Sequence, residues 1–206
     1  MWEFDENVAK TFAAHARQHI PNYENVIKKS VEICKLYGAS AKIIDVGCAV
    51  GETLIRLHEN GFVNLHGVDS SQVMLDKCPP NIATLSCSDQ LPAGPYAVVL
   101  INWTLHFIRD KATYLQSIFD NLAPGGMAVI SEKTSLDPLA INFYHDYKRA
   151  RGVSEEEIKQ KQASVADIMF IDDVQYYLEV FKTLGFAKTH VIDSDWCFTT
   201  FACEKR

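Results

Sequence analysis

The chain has 206 residues, 48% hydrophobic and 22% charged, with 20 Lys+Arg against 26 Asp+Glu for a formal net charge of -6. This is the composition of a globular protein and excludes a disordered or fibrous chain. The acidic balance argues against a surface built to hold nucleic acid or an anionic membrane, and it brings small-molecule partners forward.

Six cysteines, at 34, 48, 78, 87, 197 and 203, form no CxxC pair, so neither a zinc site nor a redox dithiol is expected. The start of the chain, Met1-Trp2-Glu3-Phe4-Asp5-Glu6, is acidic where a signal peptide would be basic. The longest uncharged apolar stretch, Ala97 to Ile108, is far shorter than a membrane span. The expectation is a cytoplasmic protein with reduced thiols, no membrane segment and one domain over 1–206.

Residues 5–37 read as two helices. Val8, Phe12 and Ala16 recur at helical spacing, Pro21-Asn22 breaks the pattern, and Val26, Ile27, Ile33 and Leu36 resume it. Ala41 to Val46 is a short apolar strand, followed by a glycine turn at 47–51 and a helix from Glu52 to Asn60. Val63 to Val68 is a second strand, Ser71 caps a short helix that Pro79-Pro80 stops, and Ile82 to Leu85 is a third strand. The fourth, Tyr96 to Ile101, lacks polar alternation and reads as buried on both faces.

A helix over roughly 110–122 leads through Pro124-Gly125-Gly126 to a fifth strand, Met127 to Glu132. Residues 135–171 exceed an ordinary connection, and Leu139 to Arg149 and Ser154 to Gln162 both read as helices, so a helical insert covering the sheet edge is expected. A helix at 172–183 and strands Lys188 to Ile192 and Trp196 to Cys203 follow, with the hairpin turn expected at Asp193-Ser194-Asp195. Alternating strands and helices make this an α/β chain. The expected fold is a Rossmann-like, doubly wound sheet of about seven strands, one of them antiparallel.

Asp45-Val46-Gly47-Cys48-Ala49-Val50-Gly51 lies between a predicted strand and a predicted helix. Gly47 and Gly51 allow a tight turn that a ligand can approach closely. The pattern resembles motif I of class I S-adenosylmethionine-dependent methyltransferases, with Ala49 for the middle glycine. Asp69, at the end of strand two, sits where such folds place an acid that accepts both hydroxyl protons of a ribose. The same residue could instead cap the segment beginning at Ser71. Asn102-Trp103-Thr104-Leu105-His106 after strand four and the Leu122 to Gly126 turn are further features of this class.

Other segments resemble a narrower family. Phe4 to Val8, Pro21 to Asn25, Asn102 to Leu105, Ser131-Glu132-Lys133, His145 to Ala150, and Gly152 to Glu155 followed by Gln160-Lys161 are similar to the carboxy-S-adenosyl-L-methionine synthases over nearly the whole chain. The resemblance implies a methyltransferase-like homodimer in which prephenate supplies a carboxyl group to the donor methyl, for a tRNA wobble-uridine modification pathway. It implies donor-binding roles for Tyr23, Gly47, Cys48, Ala49, Asp69, Ser70 and Asn102. The adenine-side position falls near Cys87 or Ser88, with Asp89 a residue or two away.

Gln162 stands where that family carries the arginine that pairs with the added carboxylate. A neutral amide cannot replace a permanently charged fork, so ordinary S-adenosyl-L-methionine and methyl transfer to a small-molecule acceptor are expected. If Lys161 or Arg151 substitutes for the arginine, the synthase activity is the alternative. A nucleoside-binding regulator without turnover is a further one, and direct methylation of nucleic acid is disfavoured by the charge balance.

A sulfonium is already electrophilic, so alignment and exclusion of water carry most of the catalysis. His145 and His106 are the candidate bases. Trp103, Tyr144 and Tyr147 can line an acceptor pocket, though core packing accounts for them equally well. Lys148, Arg149 and Arg151 form a basic run that could hold an acidic substrate but reads more simply as a solvated helix face. His15 and His19 are four apart without the glutamate or third ligand of a metal site, so no metal is expected.

Overall fold

The computed structural model describes residues 6–206; the acidic start of the chain and the first residues of the Phe4 to Val8 segment lie outside the described residues. Apolar, β-branched runs form the centre. β1 (Ile43–Val46) is buried throughout, and β4 (Tyr96–Asn102) at every residue but Ala97. With β2 (Leu65–Asp69), β3 (Thr84–Cys87), β5 (Leu122–Lys133), β6 (Lys188–Asp195) and β7 (Phe198–Glu204) they make one sheet of order β3-β2-β1-β4-β5-β7-β6. β7 runs antiparallel to both its neighbours, the remaining pairs being parallel.

Chain order reverses between β1 and β4, which pair from Ile43 with Val98 to Val46 with Ile101. A crevice opens at the carboxyl ends of strands at such a crossover. Apolar side chains pack on both faces of the sheet. One layer includes Leu115 and Ile118 of α5 (Lys111–Asn121) with Tyr177 and Phe181 of α8 (Val174–Leu184). The other includes Val31 and Cys34 of α2 (Tyr23–Lys35) with Leu54 and Leu57 of α3 (Glu52–Glu59). α4 is a single turn, Gln72–Leu75, capped by the Ser71 hydroxyl accepting from Met74 N–H.

The insert after β5 forms two helices. The Asp137 carboxylate accepts from the first N–H groups of α6 (Pro138–Ala150), and Ser154 with Glu157 closes a capping box on α7 (Glu155–Val165). α6 is tied to the end of α1 (Glu6–His19), where the Tyr144 hydroxyl donates to the His19 carbonyl at 2.8 Å and Tyr147 to the Ile20 carbonyl at 3.0 Å. Beyond α7, Phe170 N–H donates to the His106 carbonyl at 2.7 Å, and buried Lys111 pairs with Asp172 at 2.5 Å. The insert is thus fixed on both sides of the crevice.

Two boundaries differ from the sequence reading. Asp193, Ser194 and Asp195 continue β6 opposite Thr200, Thr199 and Phe198, and the hairpin turns at Trp196-Cys197 with Trp196 at φ 49°. Polar residues that look like a turn serve here as strand, because the Asp193 carboxylate accepts from Asn22 and Asn25 and pairs with Lys29, anchoring α2. β5 begins at Leu122, opposite Tyr96, and a register shift before Met127 absorbs Pro124-Gly125-Gly126.

Candidate active site

The β1–α3 turn lies over the crossover with its amides aimed at β2. Gly47 N–H and Cys48 N–H both donate to the Val68 carbonyl, at 2.7 and 3.1 Å, and Ala49 N–H donates to Asp69 Oδ2 at 2.9 Å. Ser71 N–H donates to Asp69 Oδ1 at 2.9 Å. Both carboxylate oxygens are therefore oriented by backbone and keep acceptor capacity for a diol. Gly47 has φ +70°, and a Cβ there would stand 2.1 Å from Thr104 Oγ1, so only glycine fits beside the end of β4.

Asp45, 4% exposed, is pushed up to about 8 by burial and by the charge of Asp69, with Thr53 hydrogen-bonded to it. Burial also pushes the Asp69 carboxyl up, against the backbone N–H groups of Ser71 and Ala49 that hold it down. Asn102, 8% exposed, ends β4 with neither its amide nitrogen nor its amide oxygen partnered by protein. Buried amides are rarely left unbonded. This pair of free groups on the crossover suits a polar ligand.

These residues border a cavity of about 410 Å³. It also takes in Tyr23, Ser70, Ser88, Asp89 and Trp103, with Tyr23 and Trp103 stacked 4.8 Å apart. The far wall comes from helices: His15 and His19 of α1, Tyr144, His145 and Lys148 of α6, and Lys161 and Gln162 of α7. Burial and the charges of Lys148 and Arg149 lower the His145 pKa. The stacked rings of His15 and His19, 3.9 Å apart, are both held below the usual imidazole range, His19 at about 3, by burial and by Lys148 and Lys161 nearby. Among the described residues no group of three metal-ligating side chains is present.

His106, 6% exposed, sits between the two walls in the short 3-10 turn Leu105–Phe107. Glu132, fully buried on β5, accepts from the backbone N–H groups of Thr104, Leu105 and His106, and its Oε2 lies 2.6 Å from His106 Nδ1. A carboxylate in that arrangement accepts only, so Nδ1–H donates to it and the ring is held in a fixed orientation at the cavity.

Several residues named from the sequence lie off the cavity wall, among them Gly51, Tyr147 and Arg149. A Cβ on Gly51 would strike Cys78 Sγ at 2.4 Å, so that glycine serves packing of the α3 start. Tyr147 faces α1, its hydroxyl bonded to the Ile20 and Arg17 carbonyls. Arg149 is exposed and paired with Asp146 and Glu155. Sequence reasoning gave Glu132 no role and missed the inward course of Lys148. Lys148 shares a helix face with Tyr144, four residues back, and that spacing was the available signal.

The methyltransferase-domain family model matches residues 12–191. The carboxy-S-adenosyl-L-methionine synthase of Pseudoalteromonas translucida is 30% identical, covering 91% of this chain and 87% of that relative. That of Erwinia tasmaniensis is 29% identical over 90% of this chain and 84% of the relative. In fold the chain is similar to magnesium protoporphyrin IX methyltransferase from Synechocystis with bound S-adenosylhomocysteine, at TM-score 0.67, 13% identity and coverage of 92% and 86%. A SAM-dependent methyltransferase from Archaeoglobus fulgidus gives TM-score 0.67 at 14% identity, covering 94% of this chain and 99% of its own.

Proposed function

This chain belongs to the family of S-adenosyl-L-methionine-dependent methyltransferases, and from that premise we propose that it transfers the donor methyl group to a small-molecule acceptor seated beneath α6 and α7. The observation that carries this reading is the crossover itself: an oriented Asp69, a glycine-only approach at Gly47 and an unpartnered Asn102 meet on one cavity. When bound, the donor supplies an electrophilic methyl on a sulfonium.

Asp69 holds the ribose hydroxyls, and protonated Asp45 supports the turn without adding a second charge. Asn102, Gly47, Cys48 and Ala49 line the donor, with Ser70, Ser88 and Asp89 toward the base. Tyr23 and Trp103 form a stacked wall that excludes water. His106 Nε2 accepts the proton of an oxygen or nitrogen acceptor, Glu132 holding the ring in place; His145, less enclosed, is the secondary candidate.

A second reading has its own support. Gln162 lines the cavity next to Lys161, which offers a cation where the related synthases carry arginine, whereas Arg151 stacks over Tyr147 away from the cavity. Under that reading the enzyme makes or holds a carboxylated donor. Mass spectrometry of the nucleoside released from purified protein separates the two. Methyl transfer predicts S-adenosyl-L-methionine or S-adenosylhomocysteine, and a carboxylated donor would overturn it in favour of the synthase.

We also propose that the chain pairs with a second copy through exposed Leu139 and Phe143 of α6 and Trp196, which stacks on Phe143 at 4.2 Å. Sedimentation at a monomer mass would contradict this. Among the described residues no helix is long and apolar enough to cross a membrane.

A further inference from the structure

Asn102 and Ser131 are paired in register at the carboxyl end of β4. Partners in neighbouring strands lie about 4.8 Å apart with their side chains on one face, so an amide and a hydroxyl at this spacing are within reach of each other. Both residues are buried, at 8% and 1% exposure, yet Asn102 Nδ2, Asn102 Oδ1 and Ser131 Oγ all lack a hydrogen-bond partner. Thr200, paired with Ser131 on its other side, supplies none. Buried polar atoms left unbonded cost stability, and three together on adjacent strands mark a place completed by a group from outside the fold.

The backbone around the pair is fixed. Trp103 N–H donates to the Ser131 carbonyl at 2.6 Å, and Trp103 leaves the strand in the left-handed region at φ 57°. Thr104 Oγ1 lies 3.2 Å from the Asn102 carbonyl and 3.3 Å from that of Val46. What is left to set at Asn102 is the end of its amide that meets a ligand, the oxygen accepting or the nitrogen donating. Asn102 lines the cavity and Ser131 lies off it, so any effect of the hydroxyl on a ligand passes through the amide.

Strand order decides which part of the donor Asn102 meets. Asp69 ends β2 and Ser88 follows β3 on one side of β1, whereas Asn102 ends β4 on the other. With ribose and base on the first side, the amino-acid tail falls to Asn102, and its ammonium requires an acceptor. We propose that Ser131 is a positioning residue: its hydroxyl accepts from Asn102 Nδ2–H and so turns Asn102 Oδ1 toward the ammonium of the donor's tail. This deepens the reading of the cavity as a methyltransferase site and rests on it. Without the hydroxyl the amide can present its nitrogen instead, which repels an ammonium.

Calorimetry with S-adenosylhomocysteine and with 5′-deoxy-5′-methylthioadenosine, which keeps the nucleoside and sulfur but lacks the tail, tests the assignment. Ser131→Ala should weaken S-adenosylhomocysteine roughly 5–20-fold and leave the tailless nucleoside within about twofold. Its Tm should be no lower than that of the unaltered protein, because the lost hydroxyl had no partner in the ligand-free fold. Ser131→Ala/Asn102→Ala should bind S-adenosylhomocysteine as Asn102→Ala alone does, since the hydroxyl acts through the amide. If Ser131→Ala does not fold, Ser131→Cys, close in size and a weak acceptor, should show the same selective loss.

An unchanged S-adenosylhomocysteine dissociation constant in the single variant overturns the proposal. Equal loss of both ligands also overturns it, because that is the mark of a structural role, and so do additive losses in the double variant. Failure of both ligands to bind the unaltered protein brings down the methyltransferase reading as well, whereas normal binding that is indifferent to Ser131→Ala brings down the positioning role alone.

Discussion

The two walls of the cavity are built from different material. One consists of strand ends and the turns that follow them, carries Asp45, Asp69 and Asp89, and is held by backbone hydrogen bonds such as those from Ala49 and Ser71 to Asp69. The other comes largely from helices α1, α6 and α7, carries His15, His19, Lys148 and Lys161, and is held by side-chain contacts such as Tyr144 to the His19 carbonyl. A ligand with hydroxyls to donate suits the first wall, and an anion suits the second. Under the proposed function the backbone-built wall takes the donor and the side-chain-built wall the acceptor.

His106 joins the walls, and its removal should have the largest effect. His106→Gln is expected to lower single-turnover methyl transfer by roughly 10²–10⁴-fold, leaving donor affinity nearly unchanged. Loss of donor affinity instead would move His106 into the first wall. Asp69→Ala should weaken S-adenosylhomocysteine binding roughly 10–100-fold by calorimetry, since a charged hydrogen-bond acceptor contributes about 1.5–3 kcal/mol. An unchanged dissociation constant would remove the distinction between the walls.

The lysines sharpen the comparison through stability. Lys111→Met leaves Asp172 without its partner and should lower Tm by several degrees. Lys148→Met removes an unpaired buried charge and should raise Tm of the ligand-free protein. Thermal melts with the two variants changing in the same direction would contradict the division into paired and unpaired lysines.

Legibility in the sequence followed the same boundary. The first wall was readable because local rules govern it: a strand end, a glycine at φ +70° and an acid at the tip of the next strand. The doubly wound sheet and its single antiparallel strand followed from alternating elements and a closing hairpin, whereas the strand order did not. The second wall depends on how an insert of helices packs, and there the run Lys148, Arg149, Arg151 misled. Its members diverge around the helix, Lys148 turning inward while Arg149 pairs with Asp146 and Glu155 and Arg151 stacks on Tyr147. Glu132 was hidden for another reason: a polar residue in an apolar strand shows its use only when the loop it holds, 26 to 28 residues earlier, is in place.

A further test varies pH and concerns Asp45. Its folded pKa of about 8 lies above the free value of 3.8, so the proton it holds stabilises the fold in acid, and that stabilisation is lost as pH rises through this window. Asp45→Asn carries no such proton dependence. Its Tm relative to the unaltered protein should climb from pH 4 to pH 8 and level off above that. A constant difference across the window would show that burial beside Asp69 does not govern this carboxyl.

The most direct measurement is a calorimetric titration of S-adenosylhomocysteine into ligand-stripped protein. A cavity at the β1–β4 crossover shaped for this nucleoside predicts one saturable site per chain. The absence of any saturable heat would contradict the account.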